Sequence, residues 1–170
     1  MKRRILSGIL VAAMATTMFA TTAFAATSSK EVEVSYNNTD QITDPSEDND
    51  PKWAVEIPSA IVFNDTTKEV DTTVTLVGIN GGDLTDVENV TVTVESDNEY
   101  VLGLDGNKAT DPVAYSLLYN GTKMSSTSKT VGVLSESTTE APGIARLLGT
   151  ATQTGNHTDT LRYIVDDGKN

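Results

Sequence analysis

The sequence has no cysteine in its 170 residues. This absence excludes disulfide bonds, thiolate metal sites, a cysteine nucleophile and the lipid-bearing cysteine of a lipobox. Aromatic residues are scarce at 5%, with one tryptophan and one histidine. Few aromatic residues are therefore available to line the cleft of a sugar-cleaving enzyme. A Ser-His-Asp site would have to use the single histidine.

Basic residues are few: 12 Lys and Arg stand against 24 Asp and Glu, which gives a net charge of -12. Nucleic acids and anionic membrane surfaces reward clusters of lysine and arginine, so neither is an expected partner. The sequence also lacks a Gly-rich phosphate loop. We therefore expect no nucleotide cofactor, and the acidic surface serves chiefly to keep the protein soluble.

Long apolar runs are missing as well, and no stretch of about 20 apolar residues could serve as a membrane anchor. The first 25 residues instead have the three parts of a secretory signal peptide, namely basic residues, an apolar run and the cleavage motif Ala23-Phe24-Ala25. We predict a signal peptide over residues 1–25 and a mature chain that begins at Ala26. The protein is then secreted, extracellular or cell-wall associated, with no membrane insertion after cleavage.

What the mature chain does contain is a series of short alternating segments separated by turn residues. This pattern predicts an all-β fold, a β-sandwich of Greek-key or immunoglobulin-like type with about eight to ten strands, over residues 52–170. The predicted strands lie at Trp53–Ile57, Ala60–Phe63, Val70–Ile79, Val87–Ser96, Tyr100–Leu104, Val113–Gly121, Thr130–Leu134, Ile144–Thr152 and Thr158–Val165.

Two local signals make this prediction more specific. Pro58 interrupts the first two of these strands, and we predict that the chain crosses there from one sheet to the other. The Asn120-Gly121 pair is a strong hairpin signal and predicts that Val113–Gly121 pairs with Thr130–Leu134. The predicted core comprises Trp53, Val55, Ile57, Ile61, Phe63, Leu161, Val165 and the tyrosines at 36, 100, 115, 119 and 163.

Residues 26–51 form a separate N-terminal region. The segment Glu31–Tyr36 alternates as a strand, and the 15 residues from Asn37 to Pro51 are expected to be a flexible acidic linker. Such a linker lets the strand add to its own sandwich or to that of a neighbouring molecule. Effective concentration favours its own sandwich.

The order of these segments resembles a group of small secreted proteins from Gram-positive, Clostridia-like bacteria. That group is itself distantly similar to WxL-type surface domains and to fimbrial, spore-coat-U-like sandwiches. The resemblance implies an extracellular or wall-associated sandwich. It does not bring peptidoglycan binding with it, because the paired WxL motif is missing, and His157 stands where these proteins often have tyrosine. The residues that carry the resemblance are Trp53, Val55, Ile57, Pro58, Gly155, Thr158, Thr160, Leu161, Tyr163 and Val165.

No catalytic, cofactor-binding or metal-binding residue is predicted. His157 lies in "TGNHTD", which is typical of an exposed turn. Acidic residues could supply oxygen ligands for calcium, but their spacing does not follow an EF-hand loop. Two groups of residues contain such oxygen ligands: Asp97, Asp105, Asn107 and Asp111, and the linker acids Asp44, Glu47, Asp48 and Asp50.

These observations favour a non-catalytic structural or adhesive surface protein that acts through contacts with an unknown protein or cell-wall partner. One alternative is a pilin-like filament subunit that self-assembles by strand addition through Glu31–Tyr36. Another is a carbohydrate-binding module, which would require a row of exposed aromatic side chains.

Overall fold

The computed structural model describes residues 40–47 and 49–169. The described residues are all-β, with thirteen strands and no helix. The predicted signal peptide and the strand Glu31–Tyr36 lie outside them. The strands are β1 Asp40–Thr43, β2 Trp53–Ile57, β3 Glu69–Asp71, β4 Val74–Gly78, β5 Val90–Ser96, β6 Val101–Leu104, β7 Val113–Tyr119, β8 Thr122–Lys123, β9 Thr130–Leu134, β10 Glu140–Ala141, β11 Gly143–Leu147, β12 His157–Thr158 and β13 Leu161–Asp166.

The strands form three antiparallel sheets. A four-stranded sheet has the order β1-β2-β4-β10, and a three-stranded sheet has the order β13-β5-β9. The third sheet has the order β12-β6-β7-β11-β3, with β8 paired to β7. The prediction of an all-β, sandwich-like fold is confirmed at this level.

One bent pair of strands joins the four-stranded sheet to the six-stranded sheet. β3 and β4 on one side face β11 and β10 on the other in one unbroken register, from Glu69↔Arg146 to Thr75↔Glu140. The bend falls at Thr72 and Thr73, opposite Pro142 and Gly143, which we call the Pro142 corner. The sequence predicted that the chain crosses between sheets at Pro58. The next strand after Pro58, β3, does belong to the six-stranded sheet, whereas the bend of a continuous strand pair falls at Pro142.

A second bent pair joins the six-stranded sheet to the three-stranded sheet. Ser96 pairs with Leu161, and Gly103 pairs with Thr158. Ser96 and Gly103 are seven positions apart, whereas Thr158 and Leu161, on the opposite strands, are only three positions apart. Four extra residues therefore bulge out after β5. Two of the bulged residues, Glu99 and Tyr100, have left-handed backbone with φ of 59° and 65°. We call this bend the Asp159 corner, after the residue that lies opposite the bulge.

The core lies where side chains of all three sheets meet. β5 shows the strict alternation that the sequence predicted, with Val90, Val92 and Val94 at most 1% exposed. Trp53 is 4% exposed, so its prediction as core is confirmed. The predictions for the other core residues are also confirmed, except for Tyr36, which lies outside the described residues: Val55, Tyr100, Tyr115 and Tyr119 are buried, and Ile57, Ile61, Phe63, Leu161, Tyr163 and Val165 pack against them.

Two expectations about the chain path are wrong. Asn120 and Gly121 do form a hairpin turn, with φ of 49° and 78°, but they join β7 to β8. The predicted partner Thr130–Leu134 pairs instead with β5. Ala60–Phe63 is not a strand, because the chain after Pro58 continues as irregular backbone. Local turn chemistry sets where a chain reverses, but non-local packing decides which strand it meets.

The prediction of a flexible linker is also wrong over Asp40–Asp44. β1 pairs with β2 over four positions, and its Ile42 lies opposite the buried Val55. Asp44 is 5% exposed and accepts a hydrogen bond from the backbone N–H of Ser46 at 2.9 Å. A single isoleucine among polar residues supplies little period-two signal, which is why the sequence does not reveal this edge strand.

Candidate functional site

A groove of about 300 Å³ opens beside β13. One wall is the irregular segment after Pro58, whose Ile61 and Phe63 face the groove, and the other wall is the start of β13. The groove therefore exists because Pro58 ends β2 and directs the chain across the end of the core. The lining residues are Asp40, Ile57, Pro58, Ser59, Ala60, Ile61, Phe63, Leu102, Tyr115, Asp159, Thr160, Leu161 and Tyr163.

The floor of the groove is aromatic. The ring of Tyr115 packs against Phe63 with centroids 6.0 Å apart and against Tyr100 at 5.9 Å. Burial, and then the hydrogen bond to Asp159, raises the pKa of Tyr115 above its usual range. The phenol therefore remains protonated and acts as a hydrogen-bond donor to the carboxylate.

Asp159 is the polar centre of the groove and of the Asp159 corner. Its Oδ2 accepts hydrogen bonds from Tyr115 Oη at 2.6 Å and from Ser96 Oγ at 2.7 Å. Its Oδ1 accepts from the backbone N–H of Thr160 at 2.7 Å and from that of Asn98 at 3.0 Å. Four donors meet the lone pairs of this carboxylate, so it acts as a structural tie between β5, β7 and the bulge.

β13 itself is an edge strand. Its outward residues Arg162, Ile164 and Asp166 are exposed, while the alternate residues are partly buried against the core. In the described part of the chain β13 pairs with β5 alone. An edge of this kind presents unpaired N–H and C=O groups to any strand that approaches it.

β1 is the edge strand of the neighbouring sheet and runs in the same direction as β13. At one end, Asp40 and Leu161 line the same groove. At the other end, Ser46 Oγ donates to Asp167 Oδ2 at 2.6 Å. β1 and β13 thus flank one side of the described domain, and the groove lies beside the first residues of both strands.

The prediction of His157 as an exposed turn residue is wrong. His157 begins β12, and its side chain is 9% exposed. Its Nε2 lies 2.8 Å from Oδ2 of Asp111, whose side chain is 7% exposed. In the described residues its ring makes no hydrogen bond to a serine or threonine hydroxyl. The pair therefore lacks the nucleophile of a Ser-His-Asp site.

Asp111 instead links its own loop to the loop that contains Thr152 and Gln153. It accepts hydrogen bonds from the backbone N–H groups of Thr152 and Gln153 and from Thr152 Oγ1. These bonds, with the Thr152 hydroxyl first among them, lower the pKa of Asp111 to about 2. No local sequence pattern reveals these hydrogen bonds, because Asp111 and Thr152 lie 41 positions apart.

The acidic residues considered for calcium do not converge. Asp97 lies 3.9 Å from Arg162, and Asp50 forms an ion pair with Lys52 at 2.7 Å. Across residues 40–47 and 49–169, no three Asp, Glu or His side chains come close enough together to hold a metal ion. Asp48 lies outside the described residues.

An aromatic sugar-binding face is missing from the described surface. The large hydrophobic side chains most exposed there are Val62, Val133, Leu148 and Ile164, and none is aromatic. Nor does the described part of the chain contain a helix that is long and apolar enough to cross a membrane.

Within residues 40–47 and 49–169, the chain is all-β and sandwich-like, the edge strand β13 pairs on one side only, and carboxylates serve as structural ties. Comparison of the chain with models of protein families, with curated proteins and with solved structures gave no match.

Proposed function

We propose that this chain is an exported, non-catalytic β-sandwich of Greek-key or immunoglobulin-like type that acts through protein contacts outside the cell or in the cell wall. The signal-peptide pattern of residues 1–25 supports export. The occupied states of Asp159 and of the Asp111–His157 pair support a role without catalysis. The resemblance to secreted Gram-positive surface sandwiches agrees with both.

The single observation that carries the proposal is the groove beside β13. It combines a lining that is about half apolar, with Ile61, Phe63 and Leu102 on its walls, with an adjacent sheet edge. Side-chain pockets beside a sheet edge are the features by which sheets capture an extended peptide. In that mode the edge supplies hydrogen bonds to the peptide backbone, and the groove receives alternate side chains.

The test is to fill the groove. Ala60 is exposed and lines it, so Ala60→Trp places a large ring in the space without removing a core residue. Purified mature protein, with and without the substitution, is added to cell-wall preparations, and the bound fraction is measured. We expect Ala60→Trp to reduce binding about tenfold or more, while Ala109→Trp, on an exposed loop away from the groove, leaves it unchanged.

Cell fractionation tests the compartment separately. The expected result is a chain that begins at Ala26 and is recovered from the wall or the medium. Intact Met1 in the cytoplasmic fraction would contradict export. Equal wall binding by the wild type and the Ala60→Trp variant would contradict the role of the groove.

The open edge also favours the second candidate, a filament subunit. In that case Glu31–Tyr36 of a neighbouring molecule adds to β13, with Val32, Val34 and Tyr36 turned toward the groove. Deletion of residues 26–38 leaves β1 in place, since β1 begins at Asp40. The deletion should abolish polymers seen by size-exclusion chromatography while leaving the melting temperature of the monomer unchanged.

A further inference from the structure

The edge of β13 that has no strand partner among the described residues is self-complementary in its outward side chains. They read Arg162, Ile164 and Asp166, with the isoleucine midway between opposite charges. All three are exposed, and Ile164 is 44% exposed. In the antiparallel arrangement about a two-fold axis through Ile164, each arginine faces the aspartate of the second copy, and the two isoleucines face one another.

The backbone of β13 is in the right phase for this arrangement. The carbonyl of Thr160 accepts the N–H of Asp97, so the even-numbered residues of β13 turn their backbone groups toward β5. The odd-numbered residues then turn theirs outward, which leaves Tyr163 and Val165 free to exchange hydrogen bonds across the axis. Ile164 falls at a non-hydrogen-bonded pair, where facing side chains approach most closely.

We propose that β13 pairs antiparallel with β13 of a second copy about a two-fold axis at Ile164. The result is one continuous six-stranded sheet, in which each three-stranded sheet supplies half. Four backbone hydrogen bonds between Tyr163 and Val165 and two Arg162–Asp166 ion pairs hold the junction together.

Side-chain charge selects this register. A shift of the axis by one residue to Tyr163 would place each arginine against an isoleucine and leave each aspartate without its cation. Like charges or charge against apolar surface cost free energy on a sheet face, whereas opposite charges contribute favourably. The contact that Ser46 makes is to Asp167, one residue beyond the strand, so it does not occupy the paired edge.

The contact is small, because it joins two edges and not two faces. Interfaces of this size are typical of weak and transient association, so the dimer is expected at micromolar to millimolar concentrations. The proposal goes beyond the proposed function, since a surface protein can bind its partner with or without such pairing.

The experiment is sedimentation velocity on the mature chain over a range of concentrations. Arg162→Asp and Asp166→Arg each replace two attractive pairs by two repulsive ones, and each should weaken dimerisation about tenfold or more. An equimolar mixture of the two variants places opposite charges together again and should form dimers. Arg146→Asp, a reversal of an exposed arginine on β11, is the matched control and should not alter association.

The outcomes distinguish a second copy of β13 from the strand Glu31–Tyr36 as the partner of the β13 edge. A wild-type chain that stays monomeric at millimolar concentration, or a mixture that fails to recover dimers, would overturn the proposal. Deletion of residues 26–38 should leave the β13 dimer intact. If that deletion alone abolishes association, the strand Glu31–Tyr36 holds the edge and the two-fold pairing is wrong.

Discussion

The Pro142 corner and the Asp159 corner perform the same task by different chemistry. At the Pro142 corner the register is unbroken, and the bend is held by backbone groups and by the phenol of Tyr119, which donates to the carbonyl of Thr72 at 2.9 Å. At the Asp159 corner four residues bulge out. The carboxylate of Asp159 accepts hydrogen bonds from Ser96 Oγ, at the end of β5, and from the backbone N–H of Asn98, in the bulge. A bend without insertion depends on close packing, whereas a bend with insertion depends on a charged acceptor.

The largest expected effect comes from removing that acceptor. Asp159→Ala leaves the hydroxyls of Tyr115 and Ser96 and the N–H of Asn98 without their partner, and we expect a loss of about 3 kcal/mol in the free energy of unfolding. Urea denaturation measures it. Asp97→Ala, at the same corner but exposed, should cost less than about 0.5 kcal/mol. Equal losses in the two variants would show that Asp159 is not the tie.

Close packing at the other corner is tested by Gly143→Ala. A Cβ at this position would run into the ring of the buried Tyr119 and lie 2.6 Å from Thr72 Oγ1. We expect a loss of about 2 kcal/mol in unfolding free energy. Gly149→Ala is the control, since its Cβ would meet Val113 at an ordinary 3.4 Å. A tolerated Gly143→Ala would mean that the Pro142 corner is loosely packed.

Tyr119→Phe removes the phenolic hydroxyl from the Pro142 corner and keeps the aromatic ring. The hydroxyl donates to Thr72 and lies 2.7 Å from the hydroxyl of Tyr163. Burial raises the pKa of both phenols, so both remain protonated near neutral pH. We expect thermal unfolding to show a loss of about 1 kcal/mol, and an unchanged melting temperature would contradict the role given to this bond.

Thr72→Val should act in the opposite direction. Thr72 Oγ1 is buried at the Pro142 corner with no hydrogen-bond partner. Valine keeps the branched shape and removes the unsatisfied group, so we expect an increase of about 0.5 to 1 kcal/mol in unfolding free energy. A decrease would show that the hydroxyl bonds to an ordered water molecule.

A response to acid separates the Asp111–His157 pair from the Pro142 corner. The pKa of Asp111 is lowered from 3.8 to about 2, so its contribution to stability is complete above pH 3.8 and is lost as pH falls toward 2. Asp111→Asn should therefore flatten the dependence of melting temperature on pH between 4 and 2. Tyr119→Phe should leave that dependence unaltered.

The sequence predicted those features that depend on local period. β5 and β13 alternate strictly, and β7 alternates except at the buried Ser116, so the inward residues that alternation indicates are the ones found in the core. It failed where pairing is non-local. The hairpin turn at Asn120 is correct but its partner strand is not, and the bent strand pair at Pro142 has no signal in the sequence.

The candidate site was largely beyond prediction. Asp159, in "HTDT", has the same local sequence signal as any turn acid, and its role comes from donors 44 to 63 positions away. The same holds for His157, whose burial depends on a carboxylate 46 positions earlier. Residue type and spacing carry no record of such distant partners.

The shared direction of β1 and β13 determines how the domain bears mechanical load. β1 starts at Asp40 beside the groove, and β13 ends at Asp166, close to where Ser46 meets Asp167. Tension applied to Asp40 and Lys169 therefore pulls the two strands along their axes in opposite senses. Their ladders are loaded in shear, so hydrogen bonds share the force and do not open one after another. β1 has four paired positions and β13 has six, so we expect β1 to slide first under a pull, as force spectroscopy on the chain held at these two residues would measure.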